Sequence, residues 1–144
     1  MDRGANIRSR DNIGNTALHV ATKGFHLDVV NLLLDRGVNI ESRNDMGYSA
    51  LHVAAESGNY NIVDKLLQRG ANIESIGNMG CTALHFAAGK GHYYVVGKLL
   101  ERGANIESRE KMGNTALHVA AEKGHYHVVG KLLERGANIE SIGN

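Results

Sequence analysis

A single cysteine, Cys81, stands in the whole chain, which excludes an internal disulfide framework. One unpaired thiol suits a reducing compartment, so cytoplasm or nucleus is the expected location. No charge sign dominates: 16 Lys and Arg face 15 Asp and Glu, interspersed along the chain. Without a basic stripe to track a phosphate backbone, nucleic acid is not an expected partner. No apolar run approaches the roughly 18 residues of a membrane span, so no membrane association is expected. Met1 is followed at once by polar residues, and no signal peptide is expected either. Cys-x-x-Cys and His-Glu-x-x-His are both missing, as is a glycine-rich phosphate loop. No catalysis, metal or cofactor is therefore expected.

What the chain has is repetition. Thr16-Ala17-Leu18-His19 returns as Ser49-Ala50-Leu51-His52, Thr82-Ala83-Leu84-His85 and Thr115-Ala116-Leu117-His118, each 33 residues on. Arg36-Gly37 returns as Arg69-Gly70, Arg102-Gly103 and Arg135-Gly136, and Arg3-Gly4 stands ahead of them. A fixed period of about 20 to 50 residues marks a stacked repeat protein whose units bury their apolar faces only against neighbours. Residues 1–144 read as one elongated domain with repeats 11–43, 44–76, 77–109 and 110–142. Residues 2–10 supply half a preceding hairpin, and 143–144 begin a further unit.

One unit, 110–142, shows the local logic. Lys111-Met112-Gly113-Asn114 reads as a tight turn, and Thr115 as a helix N-cap whose hydroxyl accepts a backbone N–H two or three residues on. A short helix follows from Ala116 to Glu122 and is stopped by Gly124. A second runs from about Tyr126 to Glu134, with Val128, Val129, Leu132 and Leu133 on one stripe, and Gly136 ends it. Ala137 to Ser141 is then expected to run extended toward the next turn. The alanine pairs Ala54-Ala55, Ala87-Ala88 and Ala120-Ala121 allow neighbouring short helices to approach closely.

Turn glycine, Thr-x-Leu-His, paired alanines, glycine, paired leucines and Gly-Ala-Asn-Ile together resemble the ankyrin repeat over essentially the whole chain. The resemblance implies an all-α solenoid of stacked antiparallel helix pairs with projecting β-hairpin loops. It implies a non-catalytic module that binds a protein partner through a concave face of hairpin tips and inner helices. It also implies a structural role for His19, His52, His85 and His118 beside Thr16, Thr82 and Thr115, bonding at the helix start and across to a neighbour. Several positions depart from the family pattern. Alanine replaces the usual proline at Ala17, Ala50, Ala83 and Ala116, a change a helix tolerates. Lys65, Lys98 and Lys131 stand where an aliphatic residue is common, and Gly97 and Gly130 lie inside second helices. Repeat one has Gly24-Phe25 where the others have glycine second, so that turn should differ. Glu41, Glu74, Glu107 and Glu140 occupy the place of an asparagine that is hydroxylated in relatives, so this modification is not expected there.

The remaining histidines, His26, His92, His125 and His127, fall at the start of second helices. Equivalent residues in neighbouring units are about 10 Å apart, too far to converge on one ion at about 2.0–2.3 Å. Cys81 has no local His or acid to activate it.

Repeats three and four agree at 26 of 33 positions. Of the differences, Gly77/Glu110, Asn78/Lys111, Cys81/Asn114 and Arg109/Ile142 flank the tip, and Gly89/Glu122 lies late in the inner helix. Such positions are free to encode a partner. Ile13, Met46, Met79 and Met112 make an apolar row at the tips, adaptable as a contact surface unless each packs on the next hairpin. With Asn15, Tyr48, Cys81 and Asn114 beside them and Lys23, Glu56, Lys90 and Lys123 on the inner helices, they form the expected partner-binding set. Tyr60, Tyr93, Tyr94 and Tyr126 cluster at the inter-helix turns and read as packing between second helices rather than as a second binding stripe. Repeat one, with Val29, Val30, Leu32, Leu33 and Leu34, resembles an interior unit, so weak end-to-end self-association of an otherwise monomeric chain is expected. The alternative function is a structural or self-assembling scaffold, natural or designed, without a dedicated partner.

Overall fold

The computed structural model describes residues 6–140. Eight α-helices form four pairs: α1 Ala17–Lys23 and α2 Leu27–Asp35, α3 Ala50–Ser57 and α4 Tyr60–Gln68, α5 Ala83–Gly89 and α6 Tyr93–Glu101, α7 Ala116–Lys123 and α8 Tyr126–Glu134. Tight turns join the members of each pair, so they run antiparallel. Arg3-Gly4 and the outermost parts of the two terminal half-units lie outside the described residues.

Each first helix starts as its sequence dictates. The hydroxyls of Thr16, Thr82 and Thr115 accept the N–H of His19, His85 and His118 at 3.4 Å, and the histidine ring returns a bond to the cap backbone. Gly58 and Gly124 end α3 and α7 at φ near +80°, a conformation in which a β-carbon is strained. The four units share one continuous core. Ala54, Ala55, Ala87, Ala88 and Ala120 are fully buried between the odd-numbered helices. Val30, Ile62, Val63, Val95, Val96 and Val128, with Leu66, Leu99 and Leu132, fill the space behind them.

Side chains key each unit to the one before it. The ring of His92 lies against Gly58, where a β-carbon would stand 2.6 Å from its Cε1, and its Nε2 donates to the Glu56 carbonyl at 2.8 Å. His125 repeats this on Gly91 and the Gly89 carbonyl at 3.0 Å. Repeat one breaks the pattern, as its sequence suggests. Phe25, not glycine, takes the positive φ of +64° there. Repeat two correspondingly carries Asn59 in place of histidine, and Asn59 Oδ1 instead caps its own helix by accepting the Ile62 N–H at 3.1 Å.

The lysines that replace an aliphatic residue also act between units. Lys98 Nζ sits 5.1 Å from the Tyr60 ring centre and Lys131 Nζ 4.7 Å from that of Tyr93. The tyrosine periodicity is thus partly inter-unit packing, although Tyr94 and Tyr126 remain 74% and 82% exposed. Hydrogen bonding to Glu101 and to Tyr60 holds the Lys98 pKa above its usual value. The carboxylates of Glu41, Glu74 and Glu107 accept the backbone N–H of Asn72, Asn105 and Asn138 in the following unit, each at 2.7 Å.

Three expectations need correction. The segment after each second helix turns rather than extending: Ser75 N–H donates to the Asn72 carbonyl at 3.1 Å, and Asn72 Oδ1 accepts the Glu74 N–H at 3.0 Å. The hairpins are tight loops, with no strand among the described residues. Asn44 N–H donates to the Tyr48 carbonyl at 3.0 Å and Gly47 N–H to the Asn44 carbonyl at 2.9 Å. Of the apolar residues expected to face outward from repeat one, Val30, Leu33 and Leu34 are buried, leaving Val29 and Leu32 at 41% and 44% exposure.

Candidate functional site

The hairpin tips derive their shape from the residue that opens each unit. Asp11 Oδ1 accepts the N–H of Ile13 and Asn15, and Asn44 Oδ1 accepts those of Met46 and Tyr48. Repeat three opens with Gly77, which has no side-chain acceptor to offer. Its tip twists instead into a short 3-10 turn, Asn78–Gly80, with Met79 at a left-handed φ of +69°. A side chain at Gly77 would also meet the Tyr48 ring at 3.0 Å.

The tip row is open to solvent: Ile13, Met46, Met79 and Met112 are exposed at 61%, 54%, 51% and 67%. The tips nonetheless touch one another through backbone bonds, Asp45 N–H to the Ile13 carbonyl at 3.1 Å and Lys111 N–H to the Met79 carbonyl at 2.9 Å. Between tips and inner helices lie two hollows. The first, about 470 Å³, brings together Ile13, Asn15, Lys23, Met46, Tyr48 and Glu56, all picked out from the sequence, over a floor of Val20 and Val53. The second, about 340 Å³, collects Cys81, Lys90, Asn114 and Lys123 around Phe86 and Val119, with Glu110 and Glu122 at its edge. Met79 and Met112 line neither hollow. Sequence reasoning missed the floor residues Val20, Val53, Phe86 and Val119, although Phe86/Val119 is one of the differences between repeats three and four.

Tyr48, one of the expected partner-binding residues, also takes part in packing between units. It is half-buried, with its ring edge-on to Phe86 at 4.9 Å between centres, and His52 lies 5.5 Å from Phe86.

Three of the four motif histidines, His19, His52 and His85, are consumed by structure. Nδ1 of His19 accepts the Thr16 N–H at 3.0 Å, which leaves the proton on Nε2 to be donated to the Tyr48 carbonyl at 2.7 Å. His85 does the same to the Asn114 carbonyl at 3.0 Å, whereas His52 reaches the Ser75 carbonyl at 2.8 Å. Burial pushes the pKa of all three below the ordinary value, so each is a neutral ring with neither nitrogen free for a metal or a proton transfer. Burial, aided by Glu110, raises the Cys81 pKa and keeps it a thiol rather than a nucleophilic thiolate. Among the described residues no three His, Cys, Asp or Glu side chains gather to hold a metal ion, and no helix is long and apolar enough to cross a membrane. The arrangement can offer a contact surface: apolar floors, amide groups beside them, and charges of both signs at the edges.

Comparison with curated proteins gives no match. The family model described as ankyrin repeats (3 copies) matches residues 1–77 and again 74–142. Proteins of this kind are generally protein–protein interaction modules and typically non-enzymatic. The repeat register, the capped helix pairs and this match agree, and the chain belongs to the ankyrin-repeat family.

Proposed function

We propose that this chain is a non-catalytic module that binds a protein partner through its concave face, by the hairpin tips together with the inner helices α1, α3, α5 and α7. The observation that carries this reading is the tip row, where four apolar side chains stand more than half exposed and two of them, Ile13 and Met46, line an apolar-floored hollow. Exposed apolar groups gathered on one face mark a contact surface far better than singly scattered ones. The mixed charges at the edges suit orientation of a partner more than raw affinity.

The test compares the proteins retained from a source lysate by wild type and by the triple variant Met46→Ser, Met79→Ser, Met112→Ser. Tyr48 is left intact because its ring is part of the packing between repeats two and three. Loss of a retained protein by the folded tip variant, but not by Tyr94→Ser/Tyr126→Ser, supports the concave face. The opposite pattern moves recognition to the second-helix side and refutes the reading. Weak end-to-end self-association rests on the exposure of Val29 and Leu32. Light scattering that shows a strict monomer at high concentration removes it.

A further inference from the structure

The contacts that join neighbouring units leave an unmatched half on each outer face of the stack. A second-helix histidine locks an inner junction by lying on the turn glycine of the unit before it, His92 on Gly58 and His125 on Gly91. Gly124 is the same socket on repeat four, at φ +75°, and among the described residues nothing stands within 4 Å of an added β-carbon there. His26 is the same key on repeat one, two periods before His92 and three before His125. It is exposed, and its ring rests against Gly24 of its own turn. The apolar residues are split in the same way. Ile62, Val95 and Val128 are buried, whereas Val29 at the matching place in repeat one is exposed. Val30, Val63 and Val96 are buried, whereas Val129 in repeat four is only half-buried. Tyr60 and Tyr93 each carry the lysine of the next unit, while Tyr126 is exposed and the matching place in repeat one is held by the exposed Leu32. Arg69 pairs with Asp35 of the preceding unit at 3.0 Å, and Arg36 and Glu134 hold those two places on the outer faces.

Resting on the end-to-end association above, we propose that repeat one of a second copy docks on repeat four as a fifth unit, with its His26 ring seated on Gly124. The inner junctions supply the pattern. His26 Nε2 donates to the Glu122 carbonyl as those of His92 and His125 donate to the Glu56 and Gly89 carbonyls. Leu32 covers the Tyr126 ring, Val29 closes on the Val129 side of repeat four, and Arg36 reaches Glu134. The contact is heterologous, so every added copy presents the same open face again and the assembly grows as a chain. One loop must yield. Asn138-Ile139-Glu140 of the first copy falls where Asn6-Ile7-Arg8 of the second stands. Ile7 packs on the core and Ile139 is 71% exposed, so one isoleucine takes the other's place with little net change in buried area. Glu140 then accepts the Asn39 N–H, as Glu41, Glu74 and Glu107 accept those of Asn72, Asn105 and Asn138. Arg8, which has no carboxylate, cannot make that bond. Displacement of residues 6–8 offsets part of the gain, so the contact is weak and concentration-dependent.

Sedimentation velocity over a concentration series tests this on the full chain and on variants whose fold is checked by circular dichroism. Wild type is expected to grow beyond a dimer as its concentration rises. His26→Ala removes the key and Gly124→Ala blocks the socket, and each is expected to weaken association about tenfold, as loss of one hydrogen bond between units implies. Gly70→Ala carries the same left-handed penalty away from both outer faces and should associate as wild type does. An equimolar mixture of His26→Ala and Gly124→Ala holds one working socket and one working key, and is expected to form a one-to-one pair that grows no further. Ile7→Ser loosens the competing loop and should strengthen association severalfold. Unchanged or weaker association of that variant refutes the loop exchange. Association that persists in both single variants, or a mixture that forms no pair, overturns the key-and-socket inference while end-to-end association of wild type still stands. A strict monomer at every concentration removes both, and the concave-face reading is independent of either result.

Discussion

Gly58 and Gly70 lie in the same repeat, both at positive φ, at +79° and +94°, but only Gly58 carries a neighbour's side chain. Alanine at either position incurs the left-handed penalty of about 1–2 kcal/mol, reduced by about 0.5 kcal/mol because the unfolded chain is also restricted. Around Gly70 nothing lies within 4 Å of an added β-carbon, so Gly70→Ala should lose about 1 kcal/mol and no more. At Gly58 the new β-carbon would stand 2.6 Å from both Cε1 and Nδ1 of His92. The ring must leave, and with it the 2.8 Å bond to the Glu56 carbonyl. A lost hydrogen bond of this kind adds about 1–2 kcal/mol, which brings Gly58→Ala to about 2–3 kcal/mol in total. Urea denaturation followed by circular dichroism measures both variants. The double variant Gly58→Ala/His92→Ala should recover part of the loss, because the obstruction is gone. Equal losses for Gly58→Ala and Gly70→Ala would refute the claim that His92 keys the third unit onto the second.

Phe25→Gly should stabilise the domain by about 1 kcal/mol, since Phe25 holds φ +64° while exposed, and an unchanged midpoint in urea would contradict the strain assigned to it. Thr22 is fully buried with no partner for its hydroxyl, where the other units carry alanine. Thr22→Val, equal in shape, should therefore raise stability by about 1 kcal/mol, and a loss would reveal a bond to that hydroxyl. The buried histidines make stability depend on pH. Their folded pKa values lie below the ordinary 6.5, so between those values and 6.5 the unfolded chain binds more protons than the folded one. Stability should be full above the ordinary value, fall as pH drops through that window, and level off below it. Thermal melts from about pH 8 to about pH 5 check this, and a flat Tm would mean the rings are not held neutral.

Helix limits, caps and the αL glycines were legible in the sequence because each depends on residues within one turn of one another. Thr115, Gly124 and the stripe from Val128 to Leu133 all lie where the local pattern puts them. Contacts between units were legible only in outline, in the alanine pairs and the second-helix tyrosines, because period alone does not say which side chains meet. Lys98 departs from the pattern in sequence, and only the fold places its Nζ over the Tyr60 ring. That Tyr48 packs on Phe86 has no local signal, because the two stand 38 positions apart. The altered tip of repeat three did have a signal: Gly77 replaces the acceptor that Asp11 and Asn44 provide, and Met79 takes the left-handed turn as a result.

The pairing of Phe25 with Asn59, and of Gly58 and Gly91 with His92 and His125, gives the array a grammar of succession. A unit beginning its second helix with histidine can follow only a unit whose preceding turn ends in glycine. Repeats three and four each satisfy that rule as the other's neighbour, so duplication of either in place yields a chain that still docks. Insertion of the same unit directly behind repeat one would set a histidine ring where the β-carbon of Phe25 stands. Near-identical sequence therefore does not make these units interchangeable: growth by copying is open toward the end of the array and closed at its first junction.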